Sequence, residues 1–344
     1  MTGIDRPPDS EPDWWIYRGT GQPDPELDLA AALPAPPGWR VFDGGPPVQR
    51  PGLDDREPAR RLGPVATPFT EATSAEIDMV NAALYLRRPL LVTGRPGTGK
   101  STLAYKIARE LQLGPVLRWP INSRSKLIDG LWEYDAIGRV QAASGADGEL
   151  DIGHFVHLGP LGTALLPHEL PRVLLIDELD KSDIDLPNDL LNVFEDGEFE
   201  VRPLVRVASR QPDVRVFTDD RDTSVTVRHG RVRCRAFPVV VVTSNGEREF
   251  PPAFLRRCLR LEMTEPTVGQ LAEMVASHFA GAGVPGTDDL IRSFVTRSRQ
   301  EGGLAADQLL NSVYMATSGA YDQDPNWARL CDALWRKLGA ANVE

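Results

Sequence analysis

Nine consecutive residues carry the plainest chemistry in this chain. Gly94, Arg95, Pro96, Gly97, Thr98, Gly99, Lys100 and Ser101 match G-x-x-x-x-G-K-S, and Thr102 follows them. Glycines at these spacings let backbone N–H groups turn inward around phosphate oxygens. Lys100 is placed to reach the β- and γ-phosphates of a nucleotide, and the Ser101 hydroxyl to ligate Mg²⁺. A second chemical pair stands at Asp177 and Glu178. A carboxylate there can hold Mg²⁺, and its neighbour can take a proton from an attacking water. Alone, two adjacent acids would be an ordinary solvated pair. Beside a phosphate loop they complete one site, for a nucleoside triphosphate and Mg²⁺, in which water attacks a phosphoryl group.

These groups need a scaffold, and its outline is legible. Residues 89–92 are an apolar run ahead of the glycine loop, and Leu103, Ile107 and Leu111 recur four apart behind it. Strand, loop and helix therefore arrive in the order a P-loop needs, with a helix N-terminus aimed at the anion. Asp177 and Glu178 close a wholly apolar run from Val173 to Ile176, as expected of a strand buried on both faces of a parallel sheet. A third such run, residues 238–242, leads to Thr243, Ser244 and Asn245, and Asn245 could orient the water beside Glu178. Residues 115–122 (PVLRWPIN) read as a further strand, with Pro120 marking an end or an edge. Thr73 and Glu76 fit a capping box ahead of the stripe Ile77, Val80 and Leu84. Pro187, Leu190, Leu191, Phe194 and Gly197 outline a helix with proline in its first turn and glycine just past its end.

Other stretches are less regular. Residues 127–143 show helical spacing at Leu131, Tyr134 and Ile137, interrupted by Gly138. Residues 225–235 alternate as strands do, with His229-Gly230 suited to a hairpin tip. Arg256 and Arg257 sit on a short helix opened by Pro251 and Pro252. From Thr267 onward the pattern is helical. It opens on a Thr267/Gln270 capping box and carries stripes at Leu271, Val275 and Phe279, at Ile291 and Phe294, at Leu310, Val313 and Tyr314, and at Leu330, Leu334 and Leu338, closed by Gly339.

The 344 residues leave room for two domains. A net charge of −11 argues against a wholesale nucleic-acid or membrane binder, yet nine arginines between Arg202 and Arg235 allow a local basic surface. Cys234, Cys258 and Cys331 show no C-x-x-C spacing, which suggests a reducing compartment without a disulfide framework or a zinc site. His154 and His157 stand three apart without a matching carboxylate–histidine set and read as ordinary histidines. No run reaches transmembrane length and the N-terminus lacks a signal-peptide layout, so the expectation is a cytoplasmic protein with no membrane insertion. Residues 1–64 hold 13 of the 30 prolines, with aromatic islands at Trp14, Trp15 and Tyr17 and at Trp39 and Phe42. Such islands either pack in cis on the globular body or form a linear motif for a partner.

The order of these features resembles the AAA+ ATPases, and more closely their MoxR-like branch. The resemblance runs from about Pro64 to the C-terminus and rests on the glycine loop, on residues 159–166 (GPLGTALL), on residues 175–181 (LIDELDK) and on residues 190–197 (LLNVFEDG). It implies an α/β P-loop NTPase fold: an AAA+ parallel sheet over 65–265 with inserted β-hairpins, and a C-terminal all-α lid domain over 266–344, after a tail over 1–64. Residues 145–166 then resemble the insert of that branch, and 200–237 its long hairpin before the strand-end asparagine. The resemblance further implies that Asn245 is the sensor-1 residue and that Arg256 and Arg257 supply an arginine finger to a neighbouring copy. It implies a homo-oligomeric ring, hexameric in the family pattern, acting on a protein client or adaptor such as a von Willebrand factor A-domain protein. One departure is that residues 303–310 carry no arginine where a sensor-2 arginine is usual; Arg292 and Arg297 lie earlier. The leading expectation is ATP hydrolysis coupled to remodelling or activation of a partner protein. Two alternatives stand beside it: an ATPase stimulated by nucleic acid held on the arginine-rich hairpin, and a low-turnover assembly switch.

Overall fold

The computed structural model describes residues 12–52, 56–64, 69, 72–143, 151–279, 287–301, 304–318 and 327–335. Its strands, in chain order, are β1 Leu90–Thr93, β2 Leu117–Pro120, β3 Trp132–Tyr134, β4 Val156–Leu158, β5 Val173–Asp177, β6 Glu198–Glu200, β7 Asp213–Phe217, β8 Ser224–Arg228, β9 Arg231–Arg233, β10 Val239–Ser244 and β11 Leu259–Glu262.

Five of them form a parallel sheet in the order β11-β1-β10-β5-β2. Both faces are covered, which is why the central strands are apolar until their polar C-terminal ends at Thr93, Asp177 and Thr243-Ser244. Leu91, Leu174, Ile176, Val240 and Val242 enter one core, while Leu90, Val92, Val173, Leu175 and Val241 enter the other. Pro120 ends β2 on the sheet edge, where its missing N–H costs no ladder bond. The glycine-loop strand β1 and the acid-bearing strand β5 are not neighbours, because β10 lies between them. Strand order thus brings Asn245, which follows β10, between the two chemical motifs at the C-terminal edge of the sheet, where open α/β sheets bind ligands.

The helices expected from periodicity are present. Thr73 caps Ser74–Leu86 by accepting from Glu76 N. The helix Leu186–Asp196 has Pro187 in its first turn and ends at Gly197 in the left-handed region, φ 62°. Thr267 and Gln270 form the capping box of Val268–His278. The C-terminal helices build a third core from Leu271, Val275, Ile291, Phe294, Leu309, Val313, Cys331 and Trp335. Two expected stripe residues differ: Tyr314 is exposed, and Leu310 is only partly buried while Leu309 takes the buried place beside Val313. Leu338 and Gly339 lie outside the described residues.

The largest departure concerns the inserted segments. Residues 127–143 form two short helices, Leu127–Leu131 and Ala136–Ala143, with β3 between them. The helical spacing misleads because Trp132 and Tyr134 alternate as strand residues against β4, and the Trp132 indole donates to Glu200 O. Likewise, 200–237 is more than a hairpin. It holds the helix Arg202–Val207 and strands β7, β8 and β9, which join β3, β4 and β6 in one six-stranded sheet, β3-β4-β7-β8-β9-β6. The β8–β9 turn does lie at His229 and Gly230, both with positive φ, as a tight hairpin requires. Arg172, buried at the start of β5, forks onto Asp220 at 2.7 Å and ties this second sheet to the first. Residues 145–150 of the first expected insert lie outside the described residues.

Of the two aromatic islands, the first packs in cis through Trp15 and Tyr17, whereas Trp39 of the second is 83% exposed. Tyr17 is fully buried and its hydroxyl donates to Glu76 Oε1 at 2.9 Å. Asn81 accepts from Ile16 N and Tyr17 N and donates back to Tyr17 O. The Trp15 indole donates to Asp78. Farther along, buried Arg40 donates to the carbonyls of Arg87 and Phe194 and lies over the Phe237 ring. Proline-rich composition here means extended backbone laid on the body, its polar groups satisfied by side chains of the helices beneath.

His168 helps hold this segment. Its Nδ1–H donates to Val48 O, Val48 N returns a bond to Pro167 O, and Nε2 is buried without a partner. Burial, with the nearby Arg172 charge, pulls its pKa down to about 4. Between about pH 6.5 and 4 the unfolded chain therefore binds a proton that the folded chain refuses, and stability falls as pH falls through that window. The full loss is about 3 kcal/mol. Urea unfolding across that range should show the drop, and a His168→Gln protein should lose that component.

Among the described residues, no helix is long and apolar enough to cross a membrane.

Candidate active site

Residues 94–102 turn from β1 into the helix Lys100–Glu110, with Gly99 at its N-cap in the left-handed region, φ 87°. Two glycines here are irreplaceable for space. A Cβ on Gly94 would meet Met263 O at 2.5 Å, and one on Gly97 would meet Ala305 Cα at 2.4 Å. The loop is therefore pressed between the sheet edge and the C-terminal helices. A cavity of about 440 Å³ opens there. Pro96 to Thr102, Glu178, Thr243 and Asn245 line one side, and Gln270, Met274, Ala306, Asp307 and Leu310 the other.

Lys100 folds back along the loop, its Nζ donating to Gly94 O at 2.8 Å and Arg95 O at 2.7 Å. Burial lowers its pKa, against the raising charges of Asp180, Glu178 and Asp177. Thr98 Oγ1 donates to Arg95 O, and the Arg95 guanidinium reaches Glu265 at 2.7 Å. Ser101 Oγ donates to Asp177 Oδ1 at 2.6 Å, which joins the two motifs directly.

Thr243 and Arg118 were not singled out from the sequence, yet both hold Asp177. Thr243 Oγ1 donates to Asp177 Oδ1 at 2.9 Å and accepts from Glu178 N at 2.8 Å. Arg118, from β2, forks onto Asp177 Oδ2 at 2.8 and 3.2 Å. Burial pushes the Asp177 carboxyl up. Hydrogen bonds from Ser101, Arg118 and Thr243, with the Arg118 charge, outweigh that and hold it below the usual carboxylate range.

Glu178 sits in the left-handed region, φ 63°, a backbone that costs a non-glycine residue roughly 1–3 kcal/mol. The Thr243 hydroxyl on its N–H helps maintain that turn and leaves the Glu178 side chain on the cavity. There Asn245 Nδ2 donates to Oε1 at 3.3 Å and Lys181 Nζ meets Oε2 at 2.7 Å. Asp180, also missed, clamps the loop that carries Asn245: its Oδ2 accepts from Asn245 N and Glu247 N, and its Oδ1 is buried without a partner. Its signal was its place in the run LIDELDK, three residues past Asp177.

Arg256 and Arg257 are not part of this cluster. They end the helix Pro252–Arg257, and neither lines the cavity. Arg257 pairs with Glu195 at 3.3 Å, whereas Arg256 is exposed. Arg292 and Arg297 also lie off the cavity, and Arg297 pairs with Asp332. The described part of 303–310 turns Asp307, not an arginine, to the cavity, whose basic side chains are Arg61, Lys100, Lys106 and His278. Ser101 and Asp177 are hard oxygen donors of the kind and number Mg²⁺ takes alongside substrate phosphates.

Residues 89–258 match the AAA domain family of the dynein-related subfamily. No curated protein matches the chain. Among solved structures, NtrX from Brucella abortus in complex with ATP is similar at 14% identity over 75% of this chain and 54% of that one, TM-score 0.38. NtrX without a stated nucleotide gives 15% identity over 78% and 54%, TM-score 0.42, and its ADP complex 12% over 75% and 53%, TM-score 0.35. The chain thus spans about half the length of these structures. The matched residues 89–258 hold the glycine loop, the acid pair and Asn245, and their parallel sheet is that of the AAA+ P-loop NTPase fold.

Proposed function

We propose that this protein hydrolyses ATP as a MoxR-like AAA+ ring, hexameric in the family pattern, and couples turnover to remodelling or activating a partner protein. One observation carries the chemistry: Ser101, Glu178 and Asn245, from three different strand ends, line the cavity floored by the P-loop, and Asp177 stands behind them, bonded to Ser101 and Thr243. In the proposed reaction the loop N–H groups and Lys100 bind the phosphates, Lys100 exchanging its two carbonyl partners for phosphate oxygens. Asn245 orients a water, Glu178 takes its proton as the water oxygen attacks the γ-phosphorus, and ADP leaves with the bridging oxygen. Ser101 and Asp177 would hold Mg²⁺, which neutralises phosphate charge when bound.

Among the described residues the arginine lining this cavity is Arg61, which pairs with Glu57, and Arg256 and Arg257 lie outside it. A neighbouring copy supplying one of them completes it. The surface arginines of the second sheet favour a protein partner over nucleic acid. Arg228, Arg231 and Arg233 already pair with Asp213, Glu200, and Asp43 and Glu198. A von Willebrand factor A-domain protein is the first client or adaptor to try, on the resemblance alone.

The oligomeric part is tested by dilution. A trans arginine contributes roughly 10³–10⁵ in rate, so specific ATPase activity should fall steeply across the concentrations where light scattering shows dissociation. Flat specific activity across that range overturns it.

A further inference from the structure

The Asp177 carboxylate is engaged on both oxygens. Oδ1 takes Ser101 and Thr243, and Oδ2 takes the Arg118 fork. Its partners differ in kind. Ser101 and Thr243 are neutral hydroxyls fixed on the P-loop helix and on a central strand. Arg118 is a cation on the edge strand β2, its side chain 43% exposed. A carboxylate only 8% exposed needs a counter-charge. Lys100 does not contact it, because its ammonium is turned onto Gly94 O and Arg95 O. Arg118 meets the need, and its planar fork suits a carboxylate better than a lysine would.

A divalent cation beside the same carboxylate would repel the guanidinium, and Arg118 is the contact free to yield, since water lies on its open side. We propose that Arg118 is the stand-in cation of Asp177: it holds and neutralises the carboxylate while the site is empty and releases Oδ2 when Mg²⁺–nucleotide loads. Arg118 is thus a positioning residue, and its release couples nucleotide loading to a freed arginine on the sheet edge. This inference rests on reading Ser101 and Asp177 as the Mg²⁺ pair.

The test uses the full chain with Arg118→Met and Arg118→Lys. Binding of a fluorescent ATP analogue is titrated with Mg²⁺. Loss of the competing fork should lower the half-saturating Mg²⁺ about ten-fold in Arg118→Met, the scale of one charge-assisted hydrogen bond, and less in Arg118→Lys. Thermal unfolding supplies the second readout. Arg118→Met should melt below the parent in EDTA without nucleotide and close to it with Mg²⁺ and a non-hydrolysable ATP analogue. An unchanged or raised Mg²⁺ requirement, or an equal loss of stability in both conditions, would make Arg118 a purely structural ion pair and overturn the proposal. If the parent's nucleotide binding ignores Mg²⁺, the Ser101–Asp177 reading falls and takes the proposal with it. Should Arg118→Met not fold, Arg118→Lys, which keeps the charge and loses the fork, carries the same test with a smaller shift.

Discussion

A Glu178→Gln protein should bind the fluorescent ATP analogue as the parent does and hydrolyse ATP at least about 10²-fold more slowly, the range of a lost general base. The substitution is nearly isosteric. Glutamine at φ 63° carries the same backbone strain as glutamate, and its N–H still reaches Thr243 Oγ1. Its side-chain oxygen can still accept from Asn245. What it loses is the oxygen that pairs with Lys181 and the capacity to take a proton from water. That ion pair is exposed and contributes little to stability, so a collapse of the fold would not explain a lost rate. Equilibrium binding and steady-state phosphate release separate the two effects. Turnover within a factor of a few of the parent would remove Glu178 from the reaction and favour a binding switch. With ATP held unhydrolysed, the same variant should retain its protein client, which makes it the reagent for identifying that client.

Much of the site was legible because its physics is local. A glycine loop between strand and helix, or an acid pair after an apolar run, is defined by neighbours in sequence. So were the helix caps at Thr73, Thr267 and Gly197, where one side chain or one left-handed residue settles an end. What escaped notice was decided by distant pairing. Nothing near β4 announces that His157 stands beside Phe217, or that two inserts fuse into one sheet. Arg118 alternates with buried Leu117 and Trp119 and so resembles any solvated residue of an edge strand. Its partner lies 59 positions away, and only the β2–β5 register brings them together. Tyr17 and Trp15 announced that they needed cover. Their cover, Asn81 and Asp78, sits on a helix whose apolar stripe gave no hint of a second, polar duty.

Equal amounts of Arg256→Ala and Glu178→Gln protein, each nearly inactive alone, should recover activity when mixed. The argument starts from where Arg256 stands. Its helix end is fixed from within its own chain, because Arg88 donates to the carbonyl oxygens of both Arg256 and Arg257. The Arg257 side chain is drawn to Glu195, while the Arg256 side chain is exposed and away from its own P-loop cavity. That fixed base with an open side chain favours Arg256 over Arg257 as the group reaching a neighbour. Alone, Arg256→Ala should lose roughly 10³-fold or more in turnover while still binding nucleotide. In a head-to-tail ring each site joins Glu178 of one copy to an arginine of the next. Random mixing then pairs an intact Glu178 with an intact Arg256 at about one quarter of the sites. Recovery near that fraction requires an arginine in trans, since a cis arginine would leave every subunit of the mixture defective. If the mixture stays as inactive as its components while light scattering shows mixed rings, the shared site is excluded. If Arg257→Ala shows the loss and recovery instead, the finger is its neighbour, and the Glu195 pair becomes the contact that must break for it to act.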